Sequence, residues 1–235
     1  MKISRPIRGA LAAAGLSLLA GSGLAGERDL AGLVEPYLRA RDERLLGIVA
    51  VRAYAEPARP SAGPAPLPSV SMVVLPYSAA FEAELDAVKA GLRDSLDAYV
   101  QAVARIEGAR VDYESGLLAA GGGDLVRSGI TDAQGGVQLG DMPVGEWLIL
   151  AWQEGGHTSK RFKLRDLDAK RYPNVPTNVT YSVVTYWRAR LTIRPGETAA
   201  IAATDRNVWM TAGRQEGGTP VPPRRPPTTG TDKRR

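Results

Sequence analysis

The 235-residue sequence predicts a mainly β protein, a sandwich of two layers that carries one long inserted helix. Apolar and polar residues alternate over 130–152 and again over 179–193, which is the richest β-forming run in the chain. From Phe81 to Ile106, by contrast, apolar residues recur at steps of three and four, which is the spacing of one helix face. Stretches rich in glycine and proline separate these runs, as expected for turns between strands.

The stretch 130–152 predicts three strands joined by two tight turns. Asp132 and Gly135 mark the first turn, because Asp can bond to its own backbone and Gly adopts positive φ without a steric clash. Apolar and polar residues alternate after it, up to a second turn at 142–145. Trp147 then begins a third alternating run, so it is expected to point into the core.

These residues resemble a family pattern, T-D-x-x-G-x-F-x-L-x-x-L-P-x-G-x-Y, of carboxypeptidase regulatory-like domains. The matching residues are Thr131, Asp132, Gly135, Val137, Leu139, Met142, Pro143, Gly145 and Trp147. Val137 stands where the family more often has an aromatic residue and Met142 where it has Leu, but both remain apolar. The resemblance implies an Ig-like, prealbumin-like (transthyretin-like) sandwich of seven antiparallel strands over 45–213, with the helical insertion at about 79–107. It implies no peptidase activity, because such domains are accessory modules.

The smaller elements follow from the same patterns. Residues 27–44 are expected to form a short helix or an irregular lead-in, weakened by Pro36. Gly108 is expected to end the long helix, 116–124, which contains the glycines 121–123, to form a flexible loop and 153–157 a turn. The remaining strands are predicted over 45–56, 69–75, 109–115, 159–164, 198–204 and 208–211, with loops at 58–68 and 166–178.

Both ends of the chain are predicted to lie outside the domain. Residues 1–26 resemble a secretory signal, with a basic start, an apolar middle and small residues that favour cleavage after Ala25 or Gly26. An uncleaved anchor is the alternative, but the apolar run is short for a bilayer core of about 30 Å. The Pro- and Arg-rich tail 214–235 is expected to be disordered. The mature chain is therefore expected in the periplasm or outside a bacterial cell, with no transmembrane segment.

The basic balance of the chain comes from its ends. Lys and Arg total 30 against 25 Asp and Glu, but three basic residues lie in the predicted signal and five in the last stretch, 217–235. The body between them is slightly acidic. The sequence therefore predicts no nucleic-acid partner.

The composition also argues against catalysis and a bound metal. The chain has no Cys and a single histidine, His157, whereas a zinc peptidase site needs two or three imidazoles. A G-x-S-x-G motif is absent, so a hydrolytic triad is not expected. Five aspartates are expected to cap turns rather than bind calcium: Asp132, Asp141, Asp166, Asp168 and Asp205. The sequence predicts a protein that is not an enzyme and holds no cofactor, with His157 in a solvated turn.

Protein binding through the long helix is the first functional hypothesis. Leu85, Leu92, Leu96 and Tyr99 lie on its apolar stripe, and near-heptad spacing suits a seam with a partner helix or a second copy. Alternatively, the stripe packs across a sheet of the same chain or on the lead-in segment. A membrane-surface helix fits less well, because acidic and basic residues share the polar face.

Carbohydrate binding is the second functional hypothesis. Transthyretin-like and starch-binding sandwiches look alike at this level, and carbohydrate modules stack sugars on Trp and Tyr. Trp147 and Trp187 fall on inward positions and are expected in the core. Trp152 and Trp209 lie near strand ends, so they are the candidates for ligand stacking, with edge packing as the alternative. The sequence leaves the oligomeric state and the ligand open.

Overall fold

A computed structural model of the protein describes residues 22–57, 59, 61, 63–161 and 178–215. Most of the predicted signal and tail, the end of the predicted strand 159–164 and nearly all of the predicted loop 166–178 lie outside the described residues. In the described part, three helices span Ser22–Asp42 (α1), Ala79–Ala90 (α2) and Leu96–Ala119 (α3). The strands are β1 (Leu46–Ala55), β2 (Ala65–Pro66), β3 (Ser71–Pro76), β4 (Arg127–Ile130), β5 (Gly136–Pro143), β6 (Gly145–Arg161), β7 (Asn178–Ile193), β8 (Thr198–Thr204) and β9 (Met210–Gln215).

These strands form two sheets, which confirms the predicted mainly β sandwich with a helical insertion. The larger sheet has the order β4-β3-β6-β7-β9 and is antiparallel throughout. In the smaller sheet β1 pairs antiparallel with β2 and β5, but parallel with β8. The chain reaches β8 from β7 of the other sheet rather than through a hairpin with β1, so no tight turn forces an antiparallel pair. The sheets thus hold nine described strands instead of seven, and one pair is parallel.

The larger sheet lies between the smaller sheet and the helices. Trp187 of β7 donates its indole N–H to the Thr204 carbonyl of β8, at 2.7 Å. The next residue, Arg188, donates to the Asp86 carboxylate of α2, at 2.9 Å. Because successive side chains of a strand point to opposite faces, β7 contacts both neighbouring layers. Residues 147–151 of β6 are likewise buried on both faces. The sequence pattern predicted a strand with only one buried face here.

The first turn of the central stretch forms as predicted. One carboxylate oxygen of Asp132 accepts hydrogen bonds from the backbone N–H groups of Gln134 (2.9 Å) and Gly136 (2.8 Å). Gly135 has a φ of 75°, and a Cβ there would lie 2.2 Å from the Ala53 carbonyl oxygen. Only glycine meets both requirements, so the T-D-x-x-G sequence fixes this corner of the sandwich.

The second turn is covered by α1. Gly145 has a φ of 148°, and a Cβ there would lie 2.6 Å from the Tyr37 ring. Tyr37 packs edge-on against Trp147 at 5.0 Å between ring centroids, and Trp147 donates its indole N–H to the Pro143 carbonyl at 2.9 Å. The lead-in segment is therefore a packed helix, and Pro36 lies within it without ending it.

The inserted helix is two helices rather than one. It breaks at a 3-10 turn over Gly91–Arg93, and α3 begins after Ser95, whose hydroxyl accepts a hydrogen bond from the Ala98 N–H at 2.9 Å. Gly91 is a poor helix former and Ser95 is a favourable N-cap, so the break has a local cause. The steps of three and four continue across the break, which is why periodicity alone predicted an uninterrupted helix.

Two further predictions in this region are wrong. The helix does not stop at Gly108, and 109–115 is helix rather than strand, because the buried stripe continues through Tyr113 and Leu117 to the end of α3. Gly121, with a φ of 80°, closes that end: its N–H bonds to the Leu118 carbonyl and the Gly122 N–H to the Leu117 carbonyl. Glycines 121 and 122 therefore cap a helix instead of forming a flexible loop.

The predicted turn at 153–157 is also wrong. β6 runs through it as a strand paired with β7, and the register shifts between Glu154 and His157. Gly155 and Gly156 lie opposite the single residue Val183, so a bulge admits one extra residue in β6 without ending the ladder. Within the described residues, no helix has both the length and the apolar character required to cross a membrane.

Candidate functional site

A groove of about 660 Å³ opens on the helical side of the larger sheet. It lies between α2, the turn at Gly91–Arg93, the first residues of α3 and the start of β9. We call it the helix–strand groove; its lining includes Asp86, Lys89, Leu92, Arg93, Tyr99 and Trp209. The break between α2 and α3 creates this space, because the two helices do not continue along one axis over the sheet.

Trp209 is the largest side chain of the groove and has an unpaired polar atom. Its backbone N–H donates to the Tyr186 carbonyl at 2.8 Å, which holds the residue against β7. The indole N–H is buried and has no hydrogen-bond partner in the described structure. The indole groups of Trp147 and Trp187 both donate to carbonyls. A buried donor without an acceptor is unfavourable, so the described chain leaves the surroundings of this indole incomplete.

Arg188 holds Trp209 and α2 in position. Its guanidinium carbon lies 4.5 Å from the centre of the Trp209 ring, within the range of a cation–π contact. The same guanidinium pairs with the carboxylates of Asp86 (2.9 Å) and Glu82 (3.5 Å) on α2. With 14% of its side chain exposed, Arg188 links helix, strand and indole. The negative charge of Asp86 in the groove is thereby offset.

Two other cations of the groove have no such partner. Lys89 and Arg93 are exposed, and no carboxylate of a described residue lies within 4.0 Å of either side chain. The Lys89 ammonium instead lies 5.4 Å from the centre of the Trp209 ring. The groove therefore combines an aromatic wall with two cations that are available to a ligand.

The structure brings three of the predicted site residues together. Leu92 and Tyr99, predicted as part of a partner helix face, line the same groove as Trp209, predicted as a stacking residue. Leu96 is half-buried at the first position of α3. Leu85 is fully buried in the core, so it is not accessible to any partner, and the expectation of a free face fails there.

The other tryptophans separate into core and edge. Trp147 and Trp187 are buried, at 0% and 6% exposure, which confirms their predicted place in the core. Trp152 is half-buried on β6, with the Arg110 guanidinium carbon 5.6 Å from its ring centre. It does not line the helix–strand groove, so the two proposed stacking residues do not share one site. The role of Arg188 was not predicted from the sequence, although an Arg within the most β-prone run indicates a partner above the sheet.

Two buried tyrosines with raised pKa values, Tyr113 and Tyr186, lie between the helices and the sheet. Burial raises the pKa of the Tyr113 and Tyr186 hydroxyls well above the ordinary value of 10.0. Tyr113 donates its hydroxyl to the Pro76 carbonyl at 2.9 Å, which fixes α3 on β3. Both side chains thus stay neutral and support packing.

The aspartates that were predicted to cap turns have different surroundings in the structure. Asp132 holds its own turn, and Asp205 accepts the Glu56 backbone N–H at 2.8 Å. Asp141 is exposed with a φ of 53°, while Asp166 and Asp168 lie outside the described residues. The described residues contain no group of three or more His, Cys, Asp and Glu side chains that could hold a metal ion. His157 lies in β6, paired with Ser182, rather than in a turn.

In comparisons with known proteins, no family model matches this chain, and neither does any curated protein sequence. Among solved structures, the chain is similar to a Pseudomonas aeruginosa protein with a provisional assignment as carbohydrate-binding: 15% identity, TM-score 0.37, covering 72% of this chain and 95% of the other. It is also similar to the pilus backbone of Streptococcus pneumoniae: 13% identity, TM-score 0.19, covering 43% of this chain and 29% of that one. At these values neither likeness indicates what this chain binds.

Proposed function

We propose that the protein is an exported, non-catalytic binding module of the bacterial envelope that holds a saccharide in the helix–strand groove. One observation carries the proposal: the half-buried ring of Trp209 lines an open groove beside a second aromatic residue, Tyr99. Sugar rings present apolar C–H faces, and an aromatic wall matches these faces.

The size and composition of the groove support a ligand of this kind. About 660 Å³ lies within the roughly 300–1,000 Å³ typical of small-ligand sites. Tyr99 adds a second aromatic side chain with a polar tip, and Leu92 adds an apolar wall. The described residues that line the groove include no nucleophile placed beside a base, which favours binding over catalysis.

Export is part of the same proposal. The α1 residues that pack on the body of the protein, Leu30, Leu33, Val34 and Tyr37, all follow the predicted cleavage site after Ala25 or Gly26. Removal of 1–26 would leave these contacts in place. We also propose membership of the carboxypeptidase regulatory-like family, which the glycine geometry at Gly135 and Gly145 supports because the T-D-x-x-G and P-x-G positions need positive φ.

A glycan array probed with the mature chain tests the proposal, followed by titration of the strongest hit against two variants. Trp209→Leu removes the ring contact and the N–H, so it should weaken binding at least about tenfold, for a lost contact of roughly 1.5–3 kcal/mol. Trp152→Leu is the matched control and should bind like the wild type. A blank array, or an equal loss in both variants, would contradict the proposal. Far-UV circular dichroism checks that both variants fold.

Protein binding is the second candidate function. The observation in its favour is that Leu92, Leu96 and Tyr99 keep part of their surface exposed around the groove. An apolar side chain of a partner protein fits such a rim. The burial of Leu85 makes this contact smaller than the predicted helix face.

A further inference from the structure

We infer that the saccharide held in the helix–strand groove is acidic, with its carboxylate or phosphate placed against Lys89 and Arg93. The inference rests on the proposed function and narrows it to one chemical class. It draws on the charges of the groove, which the saccharide proposal itself does not require.

The cations of the groove differ in whether they are already paired. Arg188 is committed to Asp86 and Glu82, with distances of 2.9 and 3.5 Å. Lys89 and Arg93, three and seven residues after Asp86, extend from the same helical segment but form no salt bridge with a described residue. Exposed cations that a protein does not neutralise internally are the groups that bind an anion.

The acidic residues near the groove do not cancel this charge. Asp86 is the carboxylate among the lining residues, and Arg188 engages it. Asp94 follows the turn, and its carboxylate oxygen is 3.6 Å from the Cβ position of Gly91. The Arg105 guanidinium nitrogen lies 3.9 Å from that same position, so this pair adds one charge of each sign. Because Arg188 also engages Glu82, the whole group keeps a net positive charge of one, and Lys89 and Arg93 are its cations without a carboxylate partner.

Two kinds of side chain in the groove, aromatic and cationic, would contact different parts of an acidic sugar. Trp209 offers a ring face to the neutral part of a sugar, close to the apolar surface of Leu92. The Lys89 ammonium, 5.4 Å from the indole centre, places positive charge beside that ring. An acidic group on the sugar bound against Trp209 thus comes within reach of a cation. A neutral sugar would leave both cations unused.

An array that prints each acidic glycan beside its uncharged counterpart provides the test. It includes tetragalacturonate beside its methyl ester, sialyllactose beside lactose, and mannose 6-phosphate beside mannose. The acidic member of the preferred pair should bind at least about tenfold more tightly, as expected for one or two charge-assisted contacts. The preference should shrink between about 0.1 M and 1 M salt, where the Debye length falls from about 10 to 3 Å.

Charge variants then connect the preference to these residues. Lys89→Gln and Arg93→Gln, alone and combined, should reduce acidic binding toward the level of the neutral counterpart and leave neutral binding unchanged. Arg52→Gln is the control: it removes one exposed cation from β1 of the other sheet, with the same change in net charge. It should keep the acidic preference.

The outcomes separate the two proposals. Equal binding of acidic and neutral partners would overturn the inference and leave saccharide binding intact. An acidic preference that survives in the Lys89 and Arg93 variants would also overturn it. Inorganic phosphate that competes as well as mannose 6-phosphate would show an anion site without sugar recognition and count against it. An array without any bound glycan would overturn the proposed function, and the inference with it.

Discussion

The two faces of the larger sheet surround their tryptophans differently. Toward the smaller sheet, Trp147 and Trp187 are buried and donate to the carbonyls of Pro143 and Thr204. Toward the helices, Trp209 remains half-buried beside cations, and its indole N–H has no acceptor. On the face toward the smaller sheet, the chain itself supplies the acceptors for both indole groups. On the face toward the helices, the groove beside the Trp209 ring is open and the indole N–H has no acceptor.

The difference arises from what covers each face. The smaller sheet lies on the inner face with backbone carbonyls at its rim, and these satisfy the indoles that reach them. The helical face is covered by two helices that break at Gly91–Arg93, and no carbonyl of the described structure reaches the Trp209 indole. Burial thus serves stability on one side, while incomplete cover on the other side leaves an open groove.

Replacement of Trp147 tests the inner face and should have the largest effect. Trp147→Ala removes a fully buried ring, its contact with Tyr37 and one hydrogen bond. We expect a loss of about 3–5 kcal/mol in the free energy of unfolding. Trp209→Ala is the matched change on the helical face and should lose roughly 1–2 kcal/mol, because the ring is only half-buried. Urea denaturation measures both, and equal losses would remove the distinction between the faces.

Replacement of Arg188 tests how the helical face is held together. Arg188→Met removes the pairs with Asp86 and Glu82 and the contact with Trp209, and should lower the free energy of unfolding by about 1–2 kcal/mol. Trp209 emission should also shift to longer wavelength as the indole gains water. Arg190→Met is the control, since that exposed residue pairs with Glu146 away from the groove. The same spectral shift in the control would show that Arg188 does not position Trp209.

The tyrosines of the helix–sheet interface predict a loss of stability in alkali. Burial raises the pKa of Tyr113 above 10.0 in the folded state, whereas the unfolded chain ionises near 10. Above pH 10 the unfolded state loses a proton that the folded state keeps, so stability falls as pH rises and is complete below pH 10. Urea midpoints measured from pH 7 to pH 11 should therefore decline in the upper part of that range.

The Tyr113→Phe variant tests how much of the loss of stability in alkali is due to Tyr113. It removes the hydrogen bond to Pro76 and should lower the free energy of unfolding by about 1 kcal/mol at neutral pH. It should also make the decline above pH 10 shallower. An alkaline decline as steep as that of the wild type would show that Tyr113 does not contribute to it.

The smallest effect is expected at the rim of the groove. Leu92→Asp introduces a charge at a half-buried position, while the main apolar stripe stays packed on the sheet. Size-exclusion chromatography with light scattering should therefore give the same mass for the wild type and the variant. A dimer that Leu92→Asp dissociates would favour the second candidate function and place a partner, not a sugar, over this face.

Local sequence predicted the inner face better than the helical face. The turn at Asp132 and Gly135 and the core positions of Trp147 and Trp187 follow from spacing, because a strand has a period of two and a turn needs specific residues. The break at Ser95 was missed, since apolar steps of three and four continue across it. A serine four residues beyond a helical glycine was the available signal.

The site itself could not be predicted from neighbouring residues. Trp209 and Leu92 were each selected, but for different functions, and nothing local places them in one groove. Their meeting depends on Arg188, which pairs with a carboxylate 102 positions earlier in the chain. Such a pairing is set by the sheet order and the path of the helices. It becomes visible only when both are known.

The docking of α1 has a consequence for how the chain is made. The Tyr37 hydroxyl donates to the carbonyl of Glu146, 109 positions later. A polypeptide that emerges from its N-terminus first therefore displays this leading segment long before its receiving corner exists. During that interval the apolar side chains of α1 are not packed against the rest of the chain. A chaperone or a membrane surface therefore has more time to bind this segment than to bind segments synthesised later.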